Sequence, residues 1–276
     1  MSVERDDSAL SAAELLRYER QLILPEIGGR GQQKLKNSTV VVVGAGGLGS
    51  PVLTYLAASG VGNIVVVDSD RVEQTNLHRQ PLFTEADVGE DKVQVAKKRL
   101  LSSNSLINVV AHPKRLSVEN ARELVAGADV VVDGSDNFAT KYLLNDLCAE
   151  TKLPLVSGSI FRFEGQVSVY NAVLSDGRMG PTYRCLFPEP PDSGLVPACA
   201  QVGVLGVLPA IVGSIQCAEV LKILLGVGDL LAGQLLLVDV LGMTFRKLAV
   251  DRTSRGASLS YLREGLVYDS YSVAKC

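Results

Sequence analysis

Thr39 to Val43 reads Thr-Val-Val-Val-Val with no polar break, and the run stops at Gly44-Ala45-Gly46-Gly47-Leu48-Gly49. An unbroken β-branched stretch is the pattern of a strand buried on both faces of a parallel sheet. Ser50-Pro51 then opens a helix that Gly60 can close, so strand, glycine turn and helix follow in order. A second apolar strand, Asn63 to Val67, leads to Asp68. Further on come a helix from Lys92 to Leu101, a short strand Asn108 to Ala111, a helix Ser117 to Val125, an apolar strand Asp129 to Val132 and a helix Phe138 to Thr151. Strands and helices alternating in this way predict a parallel, doubly wound sheet.

The pattern changes at Pro154. A strand to Ser157 precedes Glu164-Gly165-Gln166-Val167-Ser168-Val169-Tyr170, whose alternation suits a half-exposed antiparallel strand. Residues 176–198, rich in proline and glycine, read as a mobile crossover without regular structure. A buried helix is expected over Val202 to Ile215, and a hairpin of Gln234 to Val240 with Met243 to Val250 turns at Leu241-Gly242. Upstream, Ser11-Ala12-Ala13-Glu14 is a capping box, followed by a glycine-rich link from Pro25 and a short helix at Gln32 to Leu35. The expected fold is α/β and Rossmann-like, mainly parallel and extended by antiparallel strands. Residues 1–37 form an N-terminal helical arm, 38–250 the nucleotide domain, and 251–276 a tail without an assignment.

Composition narrows the classes. With 276 residues, 47% of them hydrophobic, the chain can bury a large core. A formal charge of −3 gives no general attraction to nucleic acid. The apolar segment at 202–215 is shorter than the about 20 residues a bilayer span needs, so no membrane role is expected. Five scattered cysteines and no leader pattern suggest a cytoplasmic protein without disulfides.

Candidate chemistry gathers where the strands end. Gly44, Gly46 and Gly47 let backbone N–H groups approach a phosphate at a helix N-terminus, and Asp68 stands where a ribose hydroxyl would be held. The loop from Ser69 to Gln80 is long for a compact domain and therefore reads as functional. Arg20, Arg79 and Lys92 supply cations for phosphate oxygens, Asp68, Asp70 and Asp136 supply carboxylates for Mg²⁺, and Asn76 adds an amide. His78 reads as a loop hydrogen-bonder and His112 as a strand-end residue.

The ordered series Arg17-Tyr18-x-Arg20-Gln21, Gly44-x-Gly46-Gly47-Leu48-Gly49, Asp68-x-Asp70, Asn76-Leu77-x-Arg79-Gln80, Gly89-x-x-Lys92, Ser135-Asp136-Asn137 and Glu164-Gly165-Gln166 resembles the ThiF/MoeB family. These are adenylyltransferases related to ubiquitin-activating enzymes, and the likeness runs from Leu15 to Val250. It implies ATP- and Mg²⁺-dependent adenylation of the C-terminal glycine of a small ubiquitin-like sulfur carrier ending in Gly-Gly, by a homodimer. Sulfur would come from a persulfide carrier or a desulfurase. On this resemblance Gly47, Asp68, Thr75, Asn76, Leu77, His78, Arg79, Lys92, Asp136 and Asn137 contact ATP, and Asp136 holds Mg²⁺. Arg20 reaches the phosphates in the partner subunit's site. Attack of an already ionised carboxylate on the α-phosphorus needs no general base, which suits a chain with two histidines.

The cysteines depart from the family's pattern. Many bacterial members hold a structural zinc with two Cys-x-x-Cys pairs; here the first reads Thr182-Tyr183-Arg184-Cys185, and 251–275 has no cysteine. Four ligands cannot be assembled, so no zinc is expected, and Cys185 reads as a leftover thiol. Cys199 matches the family's position for a cysteine able to link covalently to the activated carrier. Cys148 and Cys217 read as core. The competing reading is an NAD-dependent dehydrogenase, since a glycine loop followed by an acid also suits NAD; within the family, the acceptor carboxylate could instead belong to a peptide or a tRNA.

Overall fold

A computed structural model describes residues 10–191, 203–260, 262 and 268. β1 (Thr39–Val43) lies in the middle of the parallel part of the sheet, paired with β2 (Asn63–Val67) on one side and β4 (Val130–Asp133) on the other. β3 (Asn108–His112) forms the edge beyond β2. β5 (Leu155–Phe161) adds in parallel to β4, and β6 (Glu164–Tyr170), β7 (Gln234–Asp239) and β8 (Thr244–Ala249) continue the sheet antiparallel. The order is β3-β2-β1-β4-β5-β6-β7-β8. Fold class and antiparallel extension are as expected.

The two-residue period of β1 explains the layers. Val40 and Val42 face one core with α4 (Gly49–Ser59), α5 (Lys92–Ser103) and α9 (Leu208–Leu225), through Leu53, Leu56, Val93, Leu100, Leu208 and Val212. Val41 and Val43 face a second core with α6 (Val118–Leu124) and α7 (Phe138–Thr151), through Leu124, Tyr142, Leu144 and Leu147. Strands covered on both faces need apolar residues at every position, hence the absence of alternation in the sequence.

The N-terminal arm comprises α1 (Ala12–Arg17), α2 (Glu19–Leu22) and α3 (Gly28–Asn37). The capping box at Ser11 and Glu14 is formed. α3 is longer than the sequence pattern suggested, because its glycines serve packing: a Cβ on Gly31 would sit 3.1 Å from Leu225 of α9. α9 also differs from expectation. It starts at Leu208, with Pro209 in its first turn, and runs to Leu225, where left-handed Gly226 caps it. By length and composition α9 could cross a bilayer, yet it packs on the sheet with Gln216 and Glu219 buried and hydrogen-bonded. Inside the segment read as irregular lies a short helix, α8 (Tyr183–Leu186). The tail's first part forms α10 (Ser254–Leu259), and Leu262 and Tyr268 are buried in the second core.

Candidate active site

β1 and β4 are neighbours whose connections leave in opposite directions, α4 toward β2 and α7 toward β5, so a crevice opens above their carboxyl ends. The glycine turn fills its floor. Gly44 has φ +94°, and a Cβ there would lie 2.6 Å from the Gly134 carbonyl oxygen in the neighbouring turn. Gly46 serves otherwise: a Cβ on it would meet only the Gln80 side chain, at 3.4 Å. That leaves bare backbone at the start of α4, whose N-terminal dipole favours an anion.

Carboxylates and one cation surround the turn. Asp68, just past β2, accepts hydrogen bonds from the N–H groups of Ala45 and Asp70, each at 2.8 Å, and so ties the glycine turn to the next loop. Lys92 begins α5 and is buried, with Nζ 3.2 Å from Asp70 Oδ2. Asp136 follows β4 and is exposed to solvent, although the protein packed around it is dense enough to disfavour its charge. Desolvation pushes both Asp68 and Asp136 above the usual carboxylate value, opposed by the Lys92 charge; Asp70 adds to the rise at each. Three carboxylates against one buried ammonium leave an excess of negative charge that a divalent cation would relieve.

The loop after Asp70 packs beside this cluster. Asn76 is buried, and Arg79 donates from Nη1 to the Thr75 carbonyl at 3.1 Å and lies 2.9 Å from His78 Nε2. Leu77 anchors the loop in the first core, while Thr75 and His78 are exposed. Asn137 caps α7 by accepting the Thr140 N–H at 2.9 Å, which fixes the turn carrying Asp136.

Beneath the crevice lies a network that sequence reasoning missed. Fully buried Asp133 accepts from Lys141 Nζ at 2.8 Å, from Ser157 Oγ at 2.8 Å and from Ser135 Oγ at 2.6 Å. Lys141 also donates to the Gly158 carbonyl, and Gln216 of α9 donates to that of Asp133. A lysine one helical turn into an apolar helix was the available signal. The side chain of Gln80, quoted above only as part of a motif, lies over Gly46 with its buried Oε1 unpartnered.

The described residues thus bring together Gly44, Gly46, Gly47, Asp68, Asp70, Asn76, Leu77, His78, Arg79, Lys92, Asp136 and Asn137. Arg20 lies elsewhere, exposed on α2, whose neighbours Tyr18 and Gln21 dock at the C-terminal ends of α5 and α4, away from the crevice. Cys199 lies outside the described residues. Cys148 and Cys217 are buried, and burial pushes the Cys217 thiol up to about 12. The crevice fits a nucleoside triphosphate with a divalent cation: bare backbone at a helix start for phosphates, an orphaned amide oxygen above it, one buried cation and clustered carboxylates.

Strand order, switch point and charged crevice together define a nucleotide-binding α/β protein. The sequence narrows this class, since residues 18–258 match the ThiF family and the chain belongs to it. It is 58% identical over 242 residues to the sulfur carrier protein adenylyltransferase of Thermus thermophilus, covering 88% of this chain and 89% of the relative. Identity to the SAMP-activating enzyme E1 of Haloferax volcanii is 51%, covering 86% of each chain. With the probable adenylyltransferase/sulfurtransferase MoeZ of Mycobacterium tuberculosis identity is 49%, and the alignment covers 88% of this chain and 62% of the relative. Among solved structures, that of E. coli MccB with ATP superposes with a TM-score of 0.74 at 26% identity, covering 86% of this chain and 72% of the other.

Proposed function

We propose that this chain is an adenylyltransferase that uses ATP to activate the C-terminal carboxylate of a small sulfur carrier ending in Gly-Gly. The carrying observation is the crevice itself: buried Lys92, the Asp68–Asp70–Asp136 carboxylates and the bare backbone of Gly46 converge at the switch point of a ThiF-family sheet. Identity of 58% to a sulfur carrier protein adenylyltransferase supports the carrier as substrate over a peptide or a tRNA. An NAD-dependent dehydrogenase is disfavoured by those relatives and by Lys92, which places charge where a nicotinamide ribose would lie.

Two anions must meet for the reaction to occur. Lys92 and Arg79 offset their charge on the protein side, and the backbone N–H groups after Gly46 hold phosphate oxygens in place. Asp136, with Asp70 nearby, would hold Mg²⁺, which supplies further neutralisation of the phosphates. The carrier's carboxylate then attacks the α-phosphorus in line, and pyrophosphate leaves with the electron pair of the broken P–O bond. Asp68 keeps the glycine turn in position for a ribose. The reading extends to a homodimer in which Arg20 serves the partner's site, to Cys199 as the thiol that receives the activated carrier, and to a persulfide carrier or desulfurase as sulfur donor. Unpaired Cys148, Cys185 and Cys217 support a cytoplasmic location.

Pyrophosphate exchange into ATP tests the reaction. Exchange should require a carrier with a free Gly-Gly terminus, and Cys199→Ala should leave it intact while slowing later transfer from the carrier. Exchange driven by free amino acids alone, or none with any Gly-Gly carrier, would sink the proposal.

A further inference from the structure

α8 and α10 meet beside the end of the second core, although about seventy residues separate them in sequence. Their contact brings two pairs with the same i, i+3 spacing together: Thr182 with Cys185, and Thr253 with Gly256. Cys185 Sγ accepts the N–H groups of Thr182 and Thr253, each at 3.4 Å, and lies 3.3 Å from Thr182 Oγ1. Ser260 Oγ stands 2.8 Å from both Thr182 Oγ1 and the Gly256 carbonyl. Cys185, expected to be a leftover thiol, is therefore the centre of a joint. Burial pushes its pKa up, but the donors from Thr182 and Thr253 prevail and hold it below the usual thiol value.

Gly256 closes the joint from the other side. A Cβ there would lie 2.5 Å from Cys185 Cα and 2.6 Å from its backbone nitrogen, and backbone cannot swing aside as a side chain can. No side chain, a cysteine included, fits at Gly256 while the two backbones stay in contact, so a second thiolate from this position could join Cys185 only if α8 and α10 moved apart. Among the described residues no three His, Cys, Asp or Glu side chains form an ion site by themselves, at this joint or in the crevice, where Mg²⁺ would need the nucleotide's phosphates beside one or two carboxylates.

We propose that hydrogen bonds to the single Cys185 thiol and direct backbone packing at Gly256 replace a structural metal, closing the α8–α10 joint in a metal-free form. A neighbouring buried network reinforces it. Arg184 pairs with Asp146 through two bonds of 2.7 Å, Tyr268 donates to the same carboxylate at 2.8 Å, and the guanidinium lies 4.7 Å from the centre of the Tyr142 ring. Asn145 accepts the Tyr183 N–H at 2.7 Å, so α8 is pinned to α7 as well as to α10. A bidentate, fully satisfied ion pair of this kind fixes geometry as well as energy.

The test is independent of enzyme activity. Protein purified from zinc-supplemented medium should contain far less than one zinc per chain by elemental analysis, and EDTA should leave its melting temperature unchanged. Gly256→Ala should lower the melting temperature by on the order of 5 °C. Cys185→Ala should lower it too, with Cys185→Ser recovering part of the loss because the hydroxyl still accepts hydrogen bonds. The two Cys185 variants leave the backbone contact alone and decide the matter should Gly256→Ala not fold. Stoichiometric zinc whose removal lowers the melting temperature would overturn the inference, as would Cys185→Ala melting like the unaltered protein.

Discussion

Asp136 shows how the site trades stability for chemistry. Its carboxyl is held above the usual 3.8 in the folded chain, first by desolvation and then by Asp70. A raised carboxyl binds its proton more tightly folded than unfolded, so folding stability falls as pH rises from the unfolded value through the folded one. At neutral pH the full cost is present, and a bound divalent cation would offset it. Asp136→Asn should therefore raise the melting temperature slightly at pH 7 without Mg²⁺, while abolishing pyrophosphate exchange. In the unaltered protein, exchange should fall on the acid side as Asp136 takes up its proton, and more Mg²⁺ should move that inflection to lower pH. A variant that melts lower yet keeps exchange would refute both the strain and the metal role. Asp136 was legible in the sequence because it follows a buried strand in an α/β pattern. Asp133, three residues earlier, was not: its partners Lys141, Ser157 and Gln216 come from three other elements, and nothing local marks them as neighbours.

Elements whose pattern was set by burial on the sheet were readable, and those set by distant contacts were not. The all-β-branched β1 and the α7 span follow from local pattern and caps. α9 was misplaced because Val204, Leu205 and Val207 are as apolar as the helix itself, so hydropathy could not locate its start; Pro209 could. α8 escaped because four residues carry no period, and its helix is held by Asn145, Asp146 and Tyr142 across the second core. The glycine turn is the element most sensitive to a single atom. Gly44→Ala would force a Cβ into the Gly134 carbonyl at 2.6 Å with φ at +94°. The strained backbone alone costs about 2 kcal/mol, and relief would tilt β1 away from β4. Chemical denaturation should show a loss of at least that size, with nucleotide affinity falling in the same variant. Gly46→Ala, which meets only the Gln80 side chain, should keep its stability and lose affinity alone; equal stability losses in the two would contradict this division of roles.

At the scale of the molecule, Arg20 poses a distance problem. The arm that carries it docks through Tyr18, whose hydroxyl accepts from Asn104 at 2.8 Å, and through Gln21, which donates to the Ser59 carbonyl at 3.1 Å. Both contacts lie at the C-terminal ends of α5 and α4, whereas the crevice is at their beginnings. The 11 residues of α4 span about 16 Å at 1.5 Å each, so Arg20 stands a full helix away from the phosphate cradle of its own chain. If Arg20 acts on phosphate, a second copy must present it. Arg20→Ala and Lys92→Ala should then each abolish exchange in isolation, since every site in either pure dimer lacks one cation. In an equal mixture with free subunit exchange, about half the dimers are hybrids, and one of the two sites in each hybrid has both residues. Activity should return to about a quarter of the unaltered enzyme's. No recovery, once mass spectrometry has confirmed that hybrids form, would mean that Arg20 does not serve the partner's crevice.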